Sequence, residues 1–280
     1  MELRHLRYFV AVAEEGGFSR AARRLHVVQP TLSMQIRDLD HELGGALFER
    51  GARRTELTPA GRAFLPEARQ VLAQADRAAS AARAALRGET GQVRIGVAGA
   101  AVFDGMVAAR LRAFHEARPL VRIALCEATP RVQRAAILAG ELDVGYSGLP
   151  APADEPRLTS VPAGSVSFVV ALPAGHPLAA LPTLTLDHIG GEDLIEYALD
   201  NPLSGCLVAT SARFRADSTL SVLALVAARV GLAVVPAGVD RAAVPDVVYR
   251  PLADPGIAVE FHVLRRRDES DPAVAAFLAT

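Results

Sequence analysis

Leu3, Leu6, Phe9, Val10 and Ala13 recur at helical spacing, and Gly16-Gly17 stops the helix they define. Ser19 is placed to cap a short second helix over residues 20–25. After a tight connection, Pro30 marks the start of a third, where its missing N–H costs nothing. Leu32, Ile36, Leu39 and Leu43 then line one face, and Gly44-Gly45 ends it. The opposite face carries Thr31, Ser33, Gln35, Arg37 and Asp38. Two helices joined by a short turn, the second polar on its outer face, form a helix-turn-helix. A hairpin is expected next, LFER and TELT flanking Gly51-Ala52-Arg53-Arg54, with Arg50 just before the tip. Its arginines suit a wing that grips phosphate.

Thr58-Pro59 supplies an N-cap and first-turn proline for a long helix reaching about Arg87. Within it, Leu65, Ala68, Leu72, Ala75, Ala79, Ala82 and Leu86 alternate spacings of three and four. That is a heptad seam, expected to pair two helices. Pro66 lies inside the helix and is expected to kink it or remove a hydrogen bond. Residues 87–91 (RGETG) form a joint, after which strands and helices alternate. QVRIGVAG, VRIALCE, GELDVGYSG, SVSFVVALP, DLIEY, LAVVP, DVVYRPL and VEFHVLRR read as strands. Helices are expected over 102–116, from Thr129-Pro130 to Leu138, over 218–228, and over 271–279 with Ser270 as its cap. Such alternation predicts an α/β fold with a largely parallel sheet.

The chain has 280 residues and 51% hydrophobic content, enough for two domains with real cores and too much for wholesale disorder. No apolar run approaches the ~18–20 residues that span a bilayer, and the N-terminus lacks the apolar core of a signal peptide. A cytoplasmic protein without membrane contact is expected. All 30 cationic residues are arginine. Residues 1–90 hold 14 against 11 acids and the remainder 16 against 20, so a mildly basic head precedes a mildly acidic body. This charge distribution permits nucleic-acid binding by the head. Cys126 and Cys206 are too few for a disulfide framework and read as small buried hydrophobes. No metal-ligand spacing, P-loop or G-x-S-x-G elbow occurs, and the seven histidines are scattered. No enzyme activity, catalytic residue, metal or cofactor is expected.

Residues 1–60 closely resemble the winged helix-turn-helix of LysR-type transcriptional regulators, through LRHLRYFVAVAEEGGFSRAARRLHVVQPTLSMQIRDLDHELGGALFERGARRTELTPAGR. GQVRIG, GELDVG, ALPAGHPL, LALVAARVGLAVVP and VVYRPL follow in the family's order. The resemblance implies an all-α winged helix-turn-helix over 1–58 and a dimerisation helix over 59–87. An effector-binding domain over 88–280 would then have two α/β lobes of the type 2 periplasmic-binding-protein kind. Lobe I would cover about 91–160 and 266–280, and lobe II about 161–265. It also implies binding to double-stranded DNA, a homodimer through the linker helix and a homotetramer built from it. Gln29, Pro30, Thr31, Ser33, Met34, Gln35 and Arg37 match the recognition helix, and Arg53 and Arg54 match the wing. Val28 stands where the family usually has serine and cannot accept an N-cap hydrogen bond. Met34 stands where a polar or basic side chain is common.

Loops following strands present helix N-termini, which attract small anions such as carboxylates. The candidates for the effector are Gly99, Ala100, Ala101, Thr129, Ser147, Asn201, Pro202 and Leu203. Arg229 replaces the glycine of the family's VAAGLG; it reads as a helix end, with cleft binding the other reading. The stretch from Tyr197 to Thr219 is shorter than usual for the resemblance. The first reading is therefore an effector-responsive DNA-binding regulator. The alternative is a regulator whose DNA binding is impaired by Val28 and Met34 and which acts through hetero-oligomers.

Overall fold

A computed structural model describes residues 1–49, 55–103, 105–197, 214–216, 218–254 and 257–280. The chain forms two compact units, Met1–Ala84 and Ala85–Thr280.

The first unit contains α1 (Leu3–Glu15), α2 (Phe18–Arg24), α3 (Gln29–Leu43) and most of α4 (Pro59–Leu86). Gly16 and Gly44, both left-handed, close α1 and α3 as their positions in the sequence predict. Helix α2 starts two residues earlier than expected, at Phe18, with Gly17 as its N-cap. Ser19 therefore lies inside the first turn, and its hydroxyl donates to Gln29 Oε1 (2.8 Å) instead of capping. Leu6, Phe9, Leu32, Ile36, Leu39 and Phe48 are buried together, with Phe9 between the rings of Phe48 (5.3 Å) and Phe64 (5.1 Å). Phe48 and Leu57 pair as the base of a hairpin, and Glu49 N–H donates to Glu56 O at 2.8 Å. Thr58 Oγ1 accepts from Gly61 N–H (3.0 Å) and so caps α4. The helix runs on through Pro66.

The second unit is built on a mixed sheet. Its strands are β1 (Gly91–Val97), β2 (Val121–Glu127), β3 (Val144–Ser147), β4 (Leu158–Pro173), β5 (Ile195–Tyr197), β6 (Phe214–Ala216), β7 (Ala233–Pro236), β8 (Val247–Pro251) and β9 (Ala258–Arg266). The order β2-β1-β3-β9-β4-β7 is continuous, with β8 also on β4, while β5 and β6 pair separately. Among the strands of the described residues only β2-β1-β3 and β5-β6 pair in parallel, so the expectation of a largely parallel sheet needs correction. The reason is that β4 and β9 run antiparallel through both lobes. Residues 158–162 of β4 pair with 262–266 of β9. After an irregularity at Pro162/Gly164, residues 164–167 pair with 258–261, and 168–173 pair with β7 or β8. The return crossing thus lies inside β9, whose residues 262–265 pair with β3.

The helices of this unit are α5 (Gly99–Phe103), α6 (Met106–Ala117), α7 (Pro130–Leu138), α8 (Leu186–Ile189), α9 (Thr219–Ala227) and α10 (Pro272–Ala279). The single helix expected over 102–116 is two, because Gly105 takes φ +83° at the start of α6. Helix α10 is capped by Asp271, which accepts from Ala273 N–H (2.7 Å) and Val274 N–H (3.3 Å), and not by Ser270. Cys126 is exposed, contrary to expectation, on the edge strand β2; Cys206 lies outside the described residues. Among the described residues no helix is long and apolar enough to cross a membrane.

One ion cluster ties lobe I together. Asp143, 5% exposed, accepts from Arg94 N–H (2.8 Å), Nε (3.0 Å) and Nη2 (2.6 Å), and Arg266 Nη2 lies 3.5 Å away. Arg266 also donates to the carbonyls of Ile137 and Leu142 and pairs with Glu269. Burial raises the Asp143 pKa, but the hydrogen bonds from Arg94, with the charges of both arginines, outweigh it and hold the carboxyl below its ordinary range.

Candidate DNA-reading and effector sites

Helix α3 has one buried and one exposed face. Leu32, Ile36 and Leu39 enter the core, while Gln29, Pro30, Thr31, Met34 and Arg37 are exposed and Ser33 and Gln35 are half-buried. Gln29 is tethered by Ser19, Gln35 Nε2 donates to Asp38 Oδ2 (3.2 Å), and Arg37 Nε donates to Ser33 O (3.3 Å). Val28 is the N-cap residue and makes no side-chain cap; it is 67% exposed. The helix forms without that bond, its entrance set instead by Pro30 within the first turn. Arg53 and Arg54, at the tip of the expected wing, lie outside the described residues.

The seam on α4 divides. Ala68 is buried in the core of the first unit, and Leu65 and Leu72 pack against it, so these three have partners within the chain. Ala75 is half-buried. Ala79 and Ala82 are exposed, and Leu86 is 76% exposed. Periodicity placed all seven on one stripe, yet only its C-terminal part is open to another helix.

At the junction of the lobes, β1 and β2 run in parallel with Val97 opposite Glu127, so the turns after both strands open on the same edge. Helix α5 packs there, and its Phe103 joins the lobe II core of Val169, Val222 and Val235. Gly99 is pinned at this point: a Cβ would lie 2.5 Å from Glu127 Oε1 and 3.1 Å from Thr219 Oγ1. A side chain at 99 would press on both, and Glu127 Oε1, the free end of an exposed side chain, is the atom that would have to move. Ala101 is fully buried in the larger core cluster, which includes residues of both lobes. Thr129 caps α7, its Oγ1 3.5 Å from Val132 N. Ser147 is buried, donating to Leu149 O (2.8 Å) and accepting from Leu149 N–H (3.0 Å), so its hydroxyl is turned into its own loop. Ala100 belongs to α5. Asn201, Pro202 and Leu203 lie outside the described residues, as does most of the short stretch after Tyr197.

Glu127 and Thr219 were missed by sequence reasoning. Glu127 ends an edge strand and Thr219 opens a helix 92 positions later; neither carries a periodic signal. The parallel register is the clue, because it puts the residue after Val97 beside the end of β2. Arg229 has φ +62° and donates its N–H to Val226 O (2.9 Å), immediately after α9 and its C-terminal residue Ala228. The helix-end reading holds.

A helix-turn-helix unit joined to a two-lobed α/β unit defines a DNA-binding regulator with a sensing domain. Comparisons agree. Residues 3–62 match the bacterial regulatory helix-turn-helix of the lysR family, and residues 86–280 match the LysR substrate binding domain. The transcriptional regulator AlsR of Bacillus subtilis is 34% identical over 99% of this chain and 94% of its own length. The Hca operon transcriptional activator HcaR of Escherichia coli is 33% identical over 100% and 96%. In structure the chain is similar to CbnR, a LysR family transcriptional regulator, with TM-score 0.85 and 28% identity over 100% of this chain and 99% of that one. CbnR complexed with its target DNA gives 0.84 at 29% identity. The chain belongs to the LysR family of DNA-binding transcriptional regulators.

Proposed function

We infer that the protein is a homo-oligomeric regulator that reads DNA with α3 and the wing and responds to a small organic acid bound between the lobes. The observation that carries the DNA reading is the exposed outer face of α3, framed by helices and a hairpin base in the family's arrangement. Gln29, Pro30, Thr31, Ser33, Met34, Gln35 and Arg37 face the bases, and Arg53 and Arg54 hold phosphates. The open part of the α4 seam, Ala75, Ala79, Ala82 and Leu86, pairs two chains, and two such dimers form a tetramer.

The effector reading rests on the shared edge of β1 and β2, onto which the turn at 99–101 and the start of α7 at Thr129 both open. Glu127 gives this site a second demand. An acid accommodated beside that carboxylate carries a hydroxyl or other donor for it, since two unpaired carboxylates would repel. Effector binding shifts the oligomer between two forms only as far as it binds them unequally.

The test is a titration of the full-length protein against the intergenic region upstream of its own gene, at several salt concentrations, with a scrambled duplex beside it. Preference for the native duplex supports the reading, and a panel of hydroxylated and plain small carboxylates is then screened for altered affinity or DNA bending. Equal binding to both duplexes overturns self-sufficient DNA reading and favours action through a partner. A response to neutral or cationic compounds alone overturns the organic-acid reading.

A further inference from the structure

The outward face of α3 has an apolar centre. With Leu32, Ile36 and Leu39 buried, 3.6 residues per turn places Met34 directly opposite them. Its side chain is 48% exposed and lies outside the core cluster of the first unit. Pro30, Thr31, Arg37, Asp38 and His41 surround it, all exposed. Several polar groups around this centre are already engaged: the Gln35 amide on Asp38 and Arg37 Nε on the Ser33 carbonyl within α3, and Gln29 with Ser19 of α2. An exposed methionine in the middle of a reading surface, with Gln29, Gln35 and Arg37 already hydrogen-bonded within the protein, is matched to an apolar target.

The major groove offers one such group, the C5-methyl of thymine. A flexible, polarisable thioether conforms well to a methyl whose position varies with local DNA geometry. We propose that Met34 is a specificity-determining residue that reads thymine methyl groups by apolar contact. Part of the half-site preference of this protein is then written in methyl groups, without hydrogen-bond readout. The proposal rests on the reading of α3 as the helix that enters the groove.

The experiment selects binding duplexes from a random-core library with the full-length protein. The winning duplex is then remade with deoxyuridine in place of thymine, one position at a time, which removes the methyl and leaves every hydrogen-bonding group. Fluorescence anisotropy at fixed salt gives Kd for each. Loss of one buried methyl contact is expected to weaken binding about fourfold at one or two positions in each half-site. Met34→Ala, an exposed substitution that leaves the core untouched, should bind the thymine and deoxyuridine duplexes alike, and Met34→Leu should keep the difference. Uniform binding of every deoxyuridine duplex by the unaltered protein would overturn the proposal. So would a methyl dependence undiminished in Met34→Ala, which would assign the contact to Pro30 or Thr31. Failure to enrich any sequence would instead overturn the placement of α3 in the groove, on which the proposal depends.

Discussion

Replacing Asp143 by alanine removes the acceptor at the centre of lobe I. Three charged hydrogen bonds from Arg94 disappear and Arg266 loses a neighbouring counter-charge. Breaking a buried ion pair costs about 3–5 kcal/mol. The Arg94 side chain is 39% exposed and can be rehydrated, so the lower end applies, about 3 kcal/mol. The loss should be local to lobe I, where the cluster ties β1, the approach to β3, the end of β9 and the Glu269 turn. Hydrogen exchange of the full-length protein, read by peptide, should show residues 91–97, 144–147 and 262–266 exchanging about 100-fold faster, while α1–α3 keep their protection. Because the folded pKa of Asp143 lies below its unfolded value, its stabilisation is complete above the ordinary aspartate pKa near ~3.9 and drains as pH falls through the folded value. The gap between wild type and Asp143→Ala should therefore narrow below about pH 4. A gap under ~1 kcal/mol at pH 7, or one that stays constant into acid, would refute the account of this cluster.

Val28→Ser restores an N-cap acceptor to α3 and should stabilise the first unit by about 1 kcal/mol, seen as a rise of several degrees in its thermal transition. Arg229→Gly removes a left-handed non-glycine residue and should stabilise lobe II by up to about 1 kcal/mol in urea titrations, with no change in DNA affinity. The double substitution Ala79→Glu and Ala82→Glu should dissociate the α4 pair without unfolding the first unit, halving the mass by light scattering, because neither residue belongs to that unit's core.

Much of the first unit is legible in the sequence because its signals are local. Gly16 and Gly44 end helices wherever the chain folds, and Thr58-Pro59 starts one. What was not legible depends on partners far along the chain. The first half of β4 contains Pro162 and falls outside the expected strand SVSFVVALP, yet β9 pairs with it from the other end of the unit. Ser270 and Asp271 are equally good caps on paper, and only the geometry of α10 chooses Asp271. Periodicity gave the α4 stripe but not its partner, since Ala68 and Ala82 look alike until the core shows which one it takes. Of the residues at the shared edge of β1 and β2, Gly99 and Thr129 were legible as turn and cap, whereas Glu127 was not, because only strand register brings it beside Gly99.

The two lobes share one piece of fabric. Strands β4 and β9 pass from one to the other hydrogen-bonded side by side, interrupted where Pro162 offers no N–H and Gly164 takes φ +144°. Two chains bonded edge to edge resist bending within their own plane but yield readily in torsion. Any movement of one lobe against the other would accordingly be expressed as winding or unwinding of this ribbon about the irregularity at 162–164. A small turn at the ribbon would become a displacement proportional to distance from it, greatest at the far ends of the lobes.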